Sequence, residues 1–308
     1  MNRAVQFDGY GGIDVLEVRD LPKPVPETGE VLVAVKFAGI NPGEAMVRHG
    51  FLDDVWPATF PSGQGTDLAG VVVEAGPGVS EFAVGDEVLG FSHRRSSHAQ
   101  YVTVPVDQLT AKPPAVPWEV AGSLQVAGST AYAAVRAVAL SPGDTVVVAG
   151  AAGGVGSIAV QLAKRAGATV LGVAGPSNDA WLTEHGVIPV NYGDGLADRL
   201  RAASPSGRID ALLDFYGGGY VALAVNELGL PAEKVDTIID FAAAEQFGVR
   251  AEGSAEASDA EVLAELANLI AAGELEVPIG GVYALDDVQN AFRQLEQRHT
   301  RGKLVLRP

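Results

Sequence analysis

Cysteine is absent from all 308 residues of the chain. The protein therefore cannot form disulfides, use a thiolate nucleophile or hold zinc through sulfur. Basic residues are also scarce, with 21 Lys and Arg against 38 Asp and Glu, which gives a formal net charge of −17. That balance disfavours a non-specific grip on nucleic acid or anionic lipid and favours a small-molecule ligand.

Long apolar runs are missing as well. No uninterrupted run approaches the ~20 residues of a membrane span, and the segment from Met1 to Phe7 has no apolar signal core behind its single charge. We therefore expect a soluble, cytoplasmic protein with neither a membrane nor a nucleic-acid partner. The length exceeds that of one average domain, so two domains are expected.

The pattern of apolar residues changes along the chain. The first ~110 residues alternate short apolar segments with Gly and Pro turns and predict an all-β unit, with strands at 31–37, 70–75, 87–91 and 99–104. A helical stretch is predicted from about Trp118 to Val138. From Asp144 onward, strands alternate with helices, which predicts a parallel, doubly wound sheet. After Asp259, two helical patterns and a closing strand at 303–306 form a tail that is expected to return to the first domain.

The segment from Asp144 to Arg165 combines a buried strand, a glycine turn and the start of a helix. Val146, Val147 and Val148 are typical of a strand covered on both faces. The first glycine of the Gly-x-Gly-x-x-Gly pattern is replaced in Ala151-Ala-Gly-Gly-Val-Gly156, but the strand before and the helix after supply the required context. Glycines here let the backbone approach a pyrophosphate at a helix N-terminus. The predicted dinucleotide site is the backbone of Ala152, Gly153, Gly154, Val155 and Gly156.

Several further motifs resemble those of the medium-chain dehydrogenase/reductase superfamily, in its zinc-independent, quinone oxidoreductase-like branch. They run in the family's order and cover nearly the whole chain: Asn41-Pro-Gly-Glu-Ala-Met-Val-Arg48, Gly65-Thr-Asp67-Leu-Ala-Gly70, Val84-Gly-Asp86-Glu-Val88, Ala99-Gln-Tyr101, Ala127-Gly-Ser-Thr130-Ala-Tyr132 and Arg301-Gly-Lys303-Leu-Val-Leu306. The resemblance implies an α/β protein with a GroES-like β domain at 1–118 and 263–308, a Rossmann domain at 119–262, and a cofactor in the cleft joining them. It also implies a homodimer, for which the strand at 235–240 would offer a pairing edge.

The resemblance also indicates whether the chain has a zinc site. Zinc-dependent alcohol dehydrogenases of the superfamily carry a cysteine near the position of Asn41, and Gly-His-Glu where this chain has Gly65, Thr66 and Asp67. Both metal-binding positions are changed, so no metal site is expected. His93 and His98 match no ligand spacing and are interpreted as solvent-exposed or substrate-cleft histidines. Without zinc to polarise an alkoxide, an acceptor that is already electrophilic is favoured.

The second Rossmann strand ends Gly172-Val-Ala174-Gly-Pro-Ser177-Asn178, without the acidic residue that NAD enzymes usually place there for the ribose 2′-hydroxyl. We therefore expect NADP(H) as the cofactor. Ser177 and Asn178 can donate hydrogen bonds to its 2′-phosphate, and related quinone reductases use a tyrosine at the position of Tyr192, although aromatic packing at a strand end is the alternative for this residue. The basic residue that the family often carries at this turn is missing. By resemblance, Lys303 or Arg301 could reach the cofactor phosphates; a solvated basic end is the alternative.

Few side chains are needed for hydride transfer, because the protein mainly orients the reactants. The resemblance places two catalytic candidates beside the nicotinamide: Asn41, otherwise an Asn-Pro turn former, and Thr130, otherwise a helix N-cap. Tyr216 belongs to a loop that resembles the family's cofactor-contacting Asp-x-x-Gly-Gly loop, and Phe241 is expected at the end of the next strand, on the nucleotide side. Many relatives have a tyrosine at the position of Met46, so the proton is expected to come from water.

Two loops, 47–60 and 92–97, are expected to line the acceptor pocket, and Glu44 and Arg48 are expected to form an ion pair that shapes the first. The sequence thus predicts an NADPH-dependent reductase of quinones or α,β-unsaturated carbonyls. Two alternatives stay open. One is an enoyl reductase of a biosynthetic pathway, and the other is a non-catalytic, crystallin-like protein that binds the cofactor.

Overall fold

The computed structural model describes residues 1–308, and the chain divides into two compact units. Unit 1 comprises Met1–Val126 and Asp259–Pro308, and unit 2 comprises Ala127–Ser258. Residues 119–126 and 259–262, which the sequence assigned to the Rossmann domain, belong to unit 1. The segment that ends at Val126 is bonded to unit 1, because the backbone N–H of Val126 donates to the buried carboxylate of Asp67 at 2.9 Å.

Unit 1 is built mainly from β-strands. Its elements are β1 (Asn2–Phe7), β2 (Glu17–Leu21), β3 (Glu30–Ile40), α1 (Pro42–His49), β4 (Ser62–Gly63), β5 (Asp67–Ala75), β6 (Glu87–Phe91), β7 (Tyr101–Pro105), β8 (Leu109–Ala111), α2 (Trp118–Ala121) and the start of α3 (Gln125–Ala137), and then, near the C-terminus, α9 (Ala260–Ala271), β14 (Ile279–Ala284), α10 (Val288–Glu296) and β15 (Lys303–Arg307).

The long strand β3 organises unit 1. Its first half pairs with β7 and its last residues pair with β15, both antiparallel, while β5 lies along its other edge. The resulting seven-stranded sheet has the order β14-β15-β3-β5-β6-β8, with β7 beside β3; a separate three-stranded sheet has the order β2-β1-β4. The C-terminal strand therefore lies against Ala38, Gly39 and Ile40, the residues that lead into α1.

Unit 2 contains the remaining elements around one parallel sheet of order β11-β10-β9-β12-β13. They are the rest of α3, β9 (Thr145–Ala149), α4 (Gly156–Arg165), β10 (Thr169–Ala174), α5 (Asp179–Glu184), β11 (Ile188–Asn191), α6 (Leu196–Ala203), β12 (Ala211–Asp214), α7 (Tyr220–Ala222), β13 (Val235–Thr237) and α8 (Phe241–Phe247). The predicted doubly wound parallel sheet is confirmed.

Strand β9 is apolar throughout because its three valines face hydrophobic clusters on both sides of the sheet. Val146 and Val148 belong to one hydrophobic cluster, and Val147 belongs to a second cluster on the opposite face. Successive side chains of a strand point to opposite faces, so a central strand with helices on both sides needs apolar residues at every position.

The helix predicted from Trp118 to Val138 is interrupted. α2 ends at Ala121 and α3 begins at Gln125. At Gly122 between them, a Cβ atom would lie 2.4 Å from the carbonyl oxygen of Phe37, so the chain passes too close to β3 for any side chain. The predicted helical stretch thus consists of two helices, because a tertiary contact at Gly122 overrides local helix propensity.

The predicted strand at 235–240 is shorter than expected, and its outer edge is covered. β13 ends at Thr237, and Asp240 instead caps α8 by accepting a hydrogen bond from the N–H of Ala243. The N–H of Arg250 donates to Val235 and the N–H of Thr237 donates to Arg250, at 2.9 and 3.1 Å. The chain itself thus occupies the edge that the sequence offered for pairing with a second copy. No helix has the length and apolar character needed to span a bilayer.

Candidate functional site

A tight glycine turn connects β9 to α4 in unit 2. Gly150 has a φ of +73°, and its carbonyl accepts a hydrogen bond from the N–H of Gly153 at 2.9 Å. A Cβ on Gly156 would lie 2.1 Å from the same carbonyl oxygen, so only glycine permits this approach. The turn begins at Gly150, one residue earlier than the sequence pattern indicated, and brings Ala152 to Gly156 to the start of α4.

The geometry of this turn fits a pyrophosphate. α4 runs for ten residues, with its N-terminal end at the turn and Lys164 and Arg165 in its last turn. Such a helix directs backbone N–H groups and a positive dipole end toward an anion. The cradle left by Gly153 and Gly156 is where a dinucleotide would be held.

The turn after β10 lies beside the end of β11. Ser177 and Asn178 belong to a single 3-10 turn, which is closed by a hydrogen bond from the N–H of Asn178 to Gly175 at 3.0 Å. A Cβ built on Gly175 would lie 3.6 Å from Cε1 of Tyr192, so the tyrosine ring lies over this turn. Tyr192 is 61% exposed, so it is not a core residue, and its position over Gly175 fits both aromatic packing at the strand end and a contact to a bound phosphate. The structure thus brings the three predicted phosphate contacts together.

Asp214 shapes the loop that follows β12. Its carboxylate is fully buried and accepts hydrogen bonds from the N–H groups of Tyr216 and Gly217 and from the hydroxyl of Thr237, at 3.0, 2.8 and 3.0 Å. Burial raises the pKa of this carboxyl, and the three donors oppose that rise. Tyr216 and Phe241 are both exposed, and each follows one of two neighbouring parallel strands. They lie at the carboxyl edge of the sheet, where ligands of such folds bind.

A buried polar network lies in unit 1, where β15, β3 and β5 meet. The ammonium of Lys303 donates to the side-chain oxygen of Asn41 and to the carbonyl of Ile40, and it lies 3.5 Å from the carboxylate of Asp67. The amide nitrogen of Asn41 donates to Asp67 at 3.2 Å and to Glu44 at 3.3 Å. All four side chains are at least 94% buried. We call these four residues the Lys303 network.

Glu44 connects the Lys303 network to the backbone. Its carboxylate accepts hydrogen bonds from the N–H groups of Asn41 and Thr66, at 3.0 and 2.9 Å. Burial raises the pKa of Glu44 to about 7, and the nearby Asp67 adds to this rise. The predicted ion pair with Arg48 does not form, because the Glu44 side chain turns back to the start of α1. Arg48 instead pairs with Glu296, at 2.5 Å.

His98 borders the same network and is also fully buried. Its Nε2 lies 2.9 Å from the carbonyl of Gly39 and 3.8 Å from the Glu44 carboxylate. Burial lowers the pKa of His98 to about 4, so the ring is neutral at physiological pH. The sequence interpreted both histidines of this loop as exposed or cleft residues; His93 is exposed, whereas His98 is a core residue.

Three predicted site residues take different positions from those expected. Both amide hydrogens of Asn41 already have carboxylate acceptors, so its amide holds the Lys303 network and does not point to a ligand. Lys303 is enclosed among its own acceptors, so its assignment to the cofactor phosphates is not retained. Thr130 lies inside α3 and does not open a helix, which removes the N-cap alternative.

The two loops predicted to line the acceptor pocket are joined by Arg95. Its guanidinium donates to the carbonyls of Trp56 and Pro57, at 3.1 and 2.8 Å. Phe51, Val55 and Trp56 are exposed on the first loop. The joined loops thus present an apolar surface of unit 1. No group of three or more His, Asp or Glu side chains is arranged to hold a metal ion.

Comparisons with known proteins agree with this architecture. Residues 27–114 match the family described as alcohol dehydrogenase GroES-like domain, and residues 189–306 match the family described as zinc-binding dehydrogenase. The human synaptic vesicle membrane protein VAT-1 homolog is 31% identical over 99% of this chain and 86% of its own length. The predicted GroES-like domain is thereby confirmed.

Solved structures show the same fold. The quinone oxidoreductase from Coxiella burnetii is 30% identical, with a TM-score of 0.87 over 100% of this chain and 99% of that one. The Escherichia coli quinone oxidoreductase complexed with NADPH is 25% identical, with a TM-score of 0.84 over 100% of both chains. The chain belongs to the medium-chain dehydrogenase/reductase superfamily of nicotinamide-dependent oxidoreductases, in its quinone oxidoreductase-like branch.

Proposed function

We propose that the protein is an NADPH-dependent, zinc-independent reductase of quinones or α,β-unsaturated carbonyls. One observation carries this proposal: the Tyr192 ring lies over the Gly175–Asn178 turn, and β10 ends before this turn without the carboxylate that would oppose a 2′-phosphate. The NADPH complex of the E. coli relative supports the same cofactor.

The residues of unit 2 would hold the cofactor by its phosphates. The backbone from Ala152 to Gly156 would bind the pyrophosphate at the start of α4. Ser177, Asn178 and Tyr192 would bind the 2′-phosphate, and Tyr216 and Phe241 would contact the remainder of the dinucleotide. When bound, the nicotinamide supplies the hydride, and the protein orients the reactants and excludes water.

The Lys303 network supports a zinc-free reaction. A cation already lies between the Asn41 and Asp67 side chains, in the form of the Lys303 ammonium. A divalent ion at this position would have to displace that ammonium, and the chain offers no cysteine to hold it. We therefore assign Asn41 a positioning role in this network, while Thr130 stays a proposed contact to the nicotinamide by resemblance.

The chemical class of the acceptor is inferred from the exposed apolar loop that carries Phe51, Val55 and Trp56. Such a surface suits a planar, weakly polar acceptor, and quinones and conjugated enones are both electrophilic without a metal. Met46, in α1, carries no ionisable proton, so water is the proposed proton donor. We further propose a cytoplasmic homodimer that pairs through a surface other than the outer edge of β13.

Steady-state kinetics test this function. Purified, chelator-treated protein would be assayed for NADPH and NADH oxidation against a panel of quinones and enones, with its metal content measured. Turnover that prefers NADPH and is indifferent to the chelator is the expected result. NADPH binding without turnover on any acceptor would favour the non-catalytic alternative, and turnover restricted to enoyl thioesters would favour the biosynthetic enoyl reductase.

A further inference from the structure

The segments around the turn proposed for the 2′-phosphate carry acidic residues beyond Asn178 but no obvious cation. Between residues 166 and 200, Arg199 is the only Lys or Arg, against Asp179, Glu184, Asp194 and Asp198. A site surrounded only by acidic residues would repel a phosphate dianion. The position of Arg199 therefore decides whether this site can distinguish NADPH from NADH.

Arg199 lies on α6 and turns back toward the end of β11. Its Nη2 donates to the carbonyls of Asn191 and Gly193, at 2.9 and 3.0 Å, and its Nη1 donates to the carbonyl of Asp194. Asn191 and Gly193 are the two residues on either side of Tyr192. The guanidinium thus holds the backbone on both sides of the tyrosine whose ring lies over Gly175.

The charge of Arg199 is not neutralised within the chain. All three of its acceptors are neutral backbone carbonyls, and no carboxylate pairs with it. The neighbouring Arg201 on the same helix differs, because it forms an ion pair with Asp198 at 3.2 Å. A guanidinium has five N–H donors, so some remain for an anion beside Tyr192.

From this geometry we infer that Arg199 is the positioning residue that makes the site selective for a 2′-phosphorylated nucleotide. It holds the Tyr192 loop against the Gly175–Asn178 turn and supplies the positive charge that this turn lacks. The inference rests on the proposed use of NADP(H), and it deepens that proposal by naming the residue that sets cofactor choice.

The test is equilibrium binding of NADPH, NADH, 2′,5′-ADP and 5′-AMP to the full-length protein and its variants. In Arg199→Met, the Kd for NADPH and 2′,5′-ADP is expected to rise about 10-fold or more, because a charge-assisted contact is lost. The Kd for NADH and 5′-AMP is expected to stay within about twofold of the wild-type value. Arg199→Lys keeps the charge but not the planar guanidinium group. Its Kd for NADPH is therefore expected to lie between those of the wild type and Arg199→Met.

Arg201→Met is the matched control, since it removes an arginine from the same helix without touching the Tyr192 loop; its Kd values should equal those of the wild type. Equal weakening of NADPH and NADH in both Arg199 variants would show a merely structural role and overturn the inference, as would an unchanged preference for NADPH. Wild-type protein that binds NADH but not NADPH would overturn the proposed cofactor itself. The two failures are therefore distinguishable.

Discussion

The Lys303 ammonium on the last strand donates a hydrogen bond to the side chain of Asn41, 262 positions earlier in the chain, inside the core of unit 1. Asp67 lies 3.5 Å from the same ammonium and is fully buried. Three segments that are distant in sequence thus meet at one internal cation. Because buried charges are costly unless they are paired, each member of this group depends on the others.

Replacement of the cation should destabilise the fold. In Lys303→Met the apolar stem is retained, but the Asp67 carboxylate loses its counter-charge in the core. The free energy of unfolding is expected to fall by about 3–5 kcal/mol, measured by urea denaturation. Arg307→Met, at the exposed end of the same strand, should change it by no more than about 0.5 kcal/mol. Similar values for the two variants would contradict the pairing described.

The buried His98 should make the protein sensitive to acid. Its folded-state pKa of about 4 lies below the ordinary value of 6.5, so folding favours the neutral ring. The stabilisation is complete above pH 6.5 and is lost as the pH falls toward 4, with a slope of at most about 1.4 kcal/mol per pH unit.

His98→Gln should flatten this part of the stability profile, measured as the free energy of unfolding between pH 7 and pH 4. The exposed His93 gives the control, since His93→Gln should keep the wild-type slope. An unchanged slope in His98→Gln would mean that another group causes the acid sensitivity.

The glycine turn should tolerate alanine at position 153 better than alanine at position 156. A Cβ at Gly156 would lie 2.1 Å from the Gly150 carbonyl oxygen, whereas a Cβ at Gly153 would lie 3.3 Å from it. Gly156→Ala must displace the backbone proposed to bind the pyrophosphate, so NADPH and NADH should both bind at least ~10-fold more weakly. Gly153→Ala should lose less affinity. Fluorescence titration of both cofactors measures this order, and a Gly156→Ala variant with wild-type affinity would refute the assignment.

Loss of the contact between the two loops predicted to line the acceptor pocket should change the KM for the acceptor and leave cofactor binding unchanged. Arg95→Met removes both hydrogen bonds to the 56–57 backbone, which frees the loop that carries Trp56. The KM for the acceptor is expected to rise about 5-fold, with the Kd for NADPH unchanged. Arg94→Met removes the neighbouring arginine, which pairs with Glu30, and should leave the acceptor KM at the wild-type value. A rise in KM for both variants would argue against a specific role of the loop contact.

The sequence predicted what depends on local pattern. The valine run of β9 and the glycines after it indicated a buried strand and a phosphate turn, because both are imposed by neighbours within a few residues. The order of strands and helices indicated the parallel sheet for the same reason. Tyr192 was found through the resemblance to quinone reductases, and the structure puts its ring over the Gly175 turn.

The features that the sequence missed depend on side chains from distant segments. Nothing local shows that Lys303 meets Asn41 and Asp67, so its charge was assigned to the cofactor. Arg48 was expected to pair with Glu44 because both are charged residues of one predicted loop, yet it pairs with Glu296, which only the fold brings near. Arg199 was overlooked because it follows the next strand, and its guanidinium returns to the Tyr192 loop only through the turn into α6.

A zinc titration of NADPH oxidation tests the zinc-free reduction most directly. Chelator-treated protein would be assayed with its best acceptor while bound zinc is raised from none to one equivalent per chain and measured at each point. We predict the full rate at zero bound zinc and no change along the series. A protein that is inactive without zinc, with a rate that rises in proportion to bound zinc, would contradict the account.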